Sequence, residues 1–128
     1  MNGKAVHVNT INALSRSLVG IYAWNKAHYD FSGVLAELIK NRGVDFQTGS
    51  AVYLGALVAS GEAVANIFPH TTPWDVAAQK IIVEEAGGKA TDLFGNNQRY
   101  DQKTKGLIAS NGLVHDQLVE LIGKSMKS

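Results

Sequence analysis

The chain contains no cysteine, only two prolines in 128 residues, and no surplus of either charge, with 12 Lys and Arg against 11 Asp and Glu. Without cysteine no disulfide framework can form, so nothing points to an oxidising compartment. Without clustered Lys and Arg there is no electrostatic footprint for nucleic acid. The longest near-apolar run, Ala51 to Ala59, falls well short of the roughly 20 residues that a membrane span needs. The first residues, Met1-Asn2-Gly3-Lys4-Ala5-Val6-His7, lack the apolar core and small-residue cleavage site of a secretory signal. No internal repeat, low-complexity tract or Ser/Gly-rich linker divides the chain. These absences predict one cytoplasmic domain, residues 1–128, with neither nucleic acid nor membrane as a partner.

What is present describes a globular α/β chain. At 45% hydrophobic and 18% charged, the composition is too apolar for disorder. Phe31, Val34, Leu35, Leu38 and Ile39 recur at helical spacing, with Asp30 or Ser32 as cap and Gly43 beyond the end. Val114, Leu118, Leu121 and Ile122 repeat the pattern near the C-terminus. A third helix starts at Thr72-Pro73-Trp74-Asp75, where threonine caps, proline takes the first helical position and an acid answers the exposed N–H groups. Val76, Ala77, Ile81, Ile82 and Ala86 are its expected inner side, and Gly87-Gly88 its end. Ser50 to Ser60 is apolar nearly all round and reads as a buried helix. Short β-prone runs fall at Ala5–Val8, Ser17–Tyr22, Val44–Gln47, Ala63–Phe68, Gly88–Thr91 and Gly106–Ser110, and residues 92–97 read as a turn. Helices alternating with brief strands predict a layered α/β domain.

Few residues announce chemistry. His7, His28, His70 and His115 lie far apart, without a zinc-type partner at helical spacing, and read as surface or boundary residues. No dinucleotide fingerprint, P-loop or G-x-S-x-G element occurs. Ser50 reads as a helix cap. Glu84 and Glu85 diverge by about 100° on a helix and cannot share one metal. Asp101 and Lys103-Thr104-Lys105 form a charged loop. Asp75 has two readings. It completes a capping box, or it holds a divalent cation beside a helix end that attracts phosphate.

Pro73-Trp74-Asp75-Val76-Ala77-Ala78, followed by Ile81 through Asp92 with its Glu85-Ala86-Gly87-Gly88 core, closely resembles the second signature of the inositol monophosphatase family, W-D-x-A-A/G and then E-A-G-G. Gly49-Ser50-Ala51 and Val58-Ala59-Ser60-Gly61 resemble the family's G-S/T-A and V-A-x-G segment, Asn2-Gly3-Lys4 the turn before it, and Ile108-Ala109-Ser110-Asn111 its late strand. The resemblance implies an α/β/α sandwich with a mixed central sheet, the C-terminal half of a Mg²⁺-dependent phosphatase acting on a small phosphorylated polyol or sugar. It carries a metal-ligand role onto Asp75. Substrate contacts fall on Gly49, Ser50 and Ala51, and on Phe68 in the 64–70 region. The family's G-E-E and D-P-[IL]-D-G-T elements, which hold most of its metal ligands, do not occur here. The expected partners are therefore a missing N-terminal domain and a second copy in a homodimer. Val64 and Phe68 stand where relatives carry carboxylates, and Gln79 where they carry a small residue. Val64 and Phe68 favour an alternative, a non-catalytic interaction or dimerisation domain that retains the scaffold, whereas the intact Pro73-Trp74-Asp75 helix start favours the enzyme.

Overall fold

A computed structural model describes residues 7–14, 17–21, 32–42, 45–47, 51–69, 73–99, 102 and 104–125. The elements run β1 Leu18–Ile21, α1 Ser32–Arg42, β2 Asp45–Gln47, α2 Ala51–Ala59, β3 Ala65–Phe68, α3 Pro73–Glu85, β4 Lys89–Thr91, β5 Leu107–Ser110 and α4 His115–Ser125. The five strands form one mixed sheet in the order β2-β1-β3-β5-β4. β1 is parallel to both β2 and β3, while β5 lies antiparallel between β3 and β4.

Helices cover both faces. On one, α1 and α4 bury Val34, Leu38, Leu118, Leu121 and Ile122 against Val19, Ile21, Ile67 and Ile108. On the other, α2 and α3 bury Val58, Val76 and Val83 against Phe68, Leu107 and Ala109. The alternation of β3 and β5 residues between the two clusters is the period-two geometry of a strand whose faces are both covered. The expected α/β/α sandwich with a mixed central sheet is therefore the observed fold. Among the described residues no helix is long and apolar enough to cross a membrane.

Three local expectations are corrected. His7 and Val8 are not a strand, since Val8 gives one backbone bond to the Ala86 carbonyl (3.0 Å) in the turn after α3 rather than entering a ladder; Ala5 lies outside the described residues. The buried stripe of α3 is Val76, Gln79, Val83 and Ala86, and Ile81 is exposed. Spacings of three, four and three keep the first four on one side, and the polar Gln79 conceals that register in the sequence. The amide of Gln79 accepts from Asn66 Nδ2 at the centre of β3, both side chains fully buried. Ile39 on α1 is also exposed, because it lies about 140° round the helix from Val34 at about 100° per residue.

The Gly87-Gly88 end of α3 forms as expected. Gly87 has φ 92°, and the Gly88 N–H donates to the Val83 carbonyl at 2.9 Å, a bond that ties off the last helical turn. A Cβ at Gly88 would sit 2.3 Å from the Ser110 carbonyl oxygen, so only glycine lets α3 turn directly into β4. The turn at 92–97 is also present, with Asp92 Oδ1 accepting from the Phe94 and Asn96 N–H groups at 2.8 and 2.9 Å.

Candidate active site

Topology brings the starts of α2 and α3 to one end of the sheet. β2, β1 and β3 are parallel, so their carboxyl ends share an edge, where ligands of open α/β sheets bind. α2 begins at Ala51, shortly after β2 ends at Gln47, and α3 begins at Pro73, shortly after β3 ends at Phe68. The two helices pack against each other, and both present their N-termini at this edge. Each exposes backbone N–H groups that no intrahelical carbonyl accepts, and each carries the positive end of a helix dipole. Such an arrangement can receive an oxyanion.

Asp75 is the third residue of α3, within the first turn at this edge. Its side chain lies outside the described residues, as do Gly49, Ser50 and the Ala51 side chain. The backbone of Ala51 opens α2. Among the described residues no group of three or more His, Cys, Asp or Glu could hold a metal ion, whereas Mg²⁺ demands several oxygen ligands converging in near-octahedral geometry.

Phe68, expected at the substrate, lies in the core of this fold. It is 1% exposed and packs in the core beneath α2 and α3 with Val58, Val76, Val83 and Leu107. As the last residue of a strand covered on both faces, it is placed by period-two alternation towards the helices, and the chain buries it unaided. Val64 is likewise fully buried, on the α1/α4 side. At both positions the apolar residue matches an apolar environment.

The structure buries one residue that the sequence analysis assigned to the surface or boundary. His115, first in α4, is 1% exposed. Its Nε2 lies 2.8 Å from Thr91 Oγ1 and its Nδ1 2.7 Å from Ser110 Oγ. The Thr91 hydroxyl donates to the Asp92 carbonyl at 2.9 Å, so it accepts from the imidazole, which makes Nε2 the protonated nitrogen. Nδ1 then accepts from the Ser110 hydroxyl, which itself accepts from the Gly112 N–H at 3.0 Å. One directed chain of hydrogen bonds thus ties the start of α4 to β4 and β5, and it requires a neutral ring. The sequence held a signal for this: His115, Leu118 and Ile122 share the buried stripe of α4. His7 is exposed, as expected, and His28 and His70 lie outside the described residues.

Burial lowers the His115 pKa to about 4, with repulsion from Lys89 acting the same way and Asp116 opposing. Its folded pKa lies below the unfolded value near 6.5, so the unfolded chain takes up the proton first. Stability is therefore complete above about pH 6.5 and falls as pH drops toward 4, by up to about 3 kcal/mol at 1.36 kcal/mol per unit. Urea midpoints should decline across that window, and His115→Gln should flatten the decline. Equal slopes for the two proteins would contradict the assignment.

The chain matches the Inositol monophosphatase family over residues 1–127. It is 34% identical to the fructose-1,6-bisphosphatase/inositol-1-monophosphatase of Thermotoga maritima, over 96% of this chain and 46% of that protein. It is 33% identical to the chloroplastic phosphatase IMPL1 of Arabidopsis thaliana, over 99% of this chain and 34% of that one. Among solved structures, the Thermotoga maritima IMPase superposes with TM-score 0.81 at 31% identity, covering 96% of this chain and 46% of that one. The inositol monophosphatase of Anabaena gives TM-score 0.82 at 28% identity, over 97% and 50%. The chain thus spans half or less of the length of these relatives.

Proposed function

Because the chain belongs to the inositol monophosphatase family, we propose that it is the C-terminal half of a Mg²⁺-dependent phosphatase that hydrolyses small phosphate monoesters of the inositol or sugar type. The observation that supports this reading is the shared edge where α2 and α3 begin. In it, Asp75 is one carboxylate ligand of a metal, and the Gly49-Ser50-Ala51 turn meets substrate hydroxyls through its backbone. Bound metal supplies a nucleophilic water and stabilises phosphoryl charge; the remaining carboxylates for it belong to the half that this chain lacks. Phe68 has no part in the reading.

The interaction-domain alternative is favoured by one observation. Tyr53 on α2 and Trp74 and Ile81 on α3 are at least half exposed, although α2 otherwise buries Leu54, Val58 and Ala59 as expected. We read this apolar surface as a face that a partner closes, in the missing half or in a homodimer. Light scattering that finds a strict monomer at high micromolar concentration would remove the homodimer. The enzymatic reading is tested on the purified chain with Mg²⁺ and inositol phosphate. No turnover is expected; turnover abolished by Asp75→Asn would overturn the half-site reading.

A further inference from the structure

The buried stripe of α3 holds a polar side chain, Gln79, that the proposed chemistry does not use. It is fully buried and lies four residues, about one helical turn, beyond Asp75. Its Oε1 accepts from Nδ2 of Asn66 on β3, which is also fully buried. Two glycines open the space for this pair. A Cβ at Gly20, which pairs with Asn66 across β1 and β3, would lie 3.1 Å from Asn66 Oδ1. A Cβ at Gly55, four residues after the start of α2, would lie 3.2 Å from Gln79 Cγ. Strands β1 and β3 and helices α2 and α3 therefore meet at these two amides, about one turn behind the shared edge.

The pair is a poor stabiliser. Its single bond leaves Asn66 Oδ1 and Gln79 Nε2 without a partner among the described residues. A half-satisfied buried network is worse for stability than apolar side chains that fill the same space. What the bond has, and apolar packing lacks, is direction. Val76 and Val83, which also bury α3, tolerate a turned or slid helix, because burial of apolar surface has no preferred orientation. Moving α3 past Asn66 breaks the bond and strands two more buried polar atoms.

We propose that Asn66 and Gln79 form a positioning pair that fixes α3 on the sheet and so sets where Asp75 stands relative to the start of α2. In this role Gln79 acts through the backbone of α3 and touches neither substrate nor metal. The positional part rests on the fold alone. Its consequence for catalysis rests on the reading of Asp75 as a metal ligand.

The test replaces both amides by apolar side chains of similar size, Asn66→Leu with Gln79→Met. Either single change strands the remaining amide and should lower the urea midpoint by about 1 M. The double variant should recover the midpoint, since it leaves no buried amide behind. Amide dipolar couplings measured by NMR on this chain should then report α3 turned or shifted against the sheet, or averaging between positions. In enzyme reconstituted with the proposed N-terminal half, the double variant should show a lower kcat and a higher Mg²⁺ requirement. Each change should be roughly 10- to 100-fold, the size of loss that follows when the support of a metal ligand is displaced. A double variant that unfolds, or one that keeps the wild-type couplings, would overturn the proposal. Altered couplings with wild-type kcat and Mg²⁺ requirement would overturn its consequence for catalysis. Reconstituted wild-type enzyme without turnover would count against the phosphatase reading, and the couplings would still decide the role of the pair.

Discussion

In enzyme reconstituted from this chain and the proposed N-terminal half, Asp75→Asn is expected to lower kcat for phosphomonoester hydrolysis by about 10²- to 10³-fold, the loss typical of removing one preorganised electrostatic partner of a transition state. Asparagine keeps the size of the side chain and can still accept a hydrogen bond from backbone N–H groups, so it removes little but the charge. That separates the two readings of this residue. If Asp75 only completes the start of α3, its loss costs the helix about 0.3–1 kcal/mol through the dipole and leaves kcat intact. If it holds a metal, kcat collapses while thermal stability barely changes. The check is kcat and a thermal melt on the same two proteins. Unchanged kcat with a lowered melting temperature would assign Asp75 to the helix alone.

Phe68→Ala is expected to destabilise the chain by about 3–5 kcal/mol, the range for a buried aromatic cut back to alanine. The ring fills the space between β3 and the α2/α3 layer, and neighbours held by a five-stranded sheet cannot collapse far into the hole. Phe68→Glu should be worse, since it buries a carboxylate with no partner in an apolar setting. Urea unfolding at neutral pH measures both. A variant with wild-type stability and an altered substrate preference would restore Phe68 to the substrate site. The opposite outcome shows why alignment with relatives misleads here: the position is shared, but its side chain serves packing.

The limits of what the sequence could disclose are physical. Apolar periodicity located α1 and α4, because one-sided helices repeat every three to four residues, and the proline-led start located α3. Glycines located the end of α3, because a close backbone approach excludes every other side chain. Periodicity failed where a polar residue sits inside. Gln79 has no place on the expected inner face until Asn66 is placed opposite it by the fold, and His115 reads as a surface or boundary residue until Thr91 and Ser110 converge on its ring. These partners lie 13, 24 and 5 residues away in sequence, and nothing local couples them. The candidate site divides the same way. Asp75 is visible because its chemistry resides in a contiguous helix start. Its alignment with the start of α2 is a property of parallel β1, β2 and β3.

Mixing separately purified halves measures the central claim most directly. The account predicts that this chain and a polypeptide carrying the G-E-E and D-P-x-D-G-T elements each lack phosphomonoesterase activity with Mg²⁺, and that mixing them yields turnover that saturates at one-to-one stoichiometry and disappears with Asp75→Asn. Halves that form a stable complex yet release no phosphate from any small phosphate monoester would contradict it.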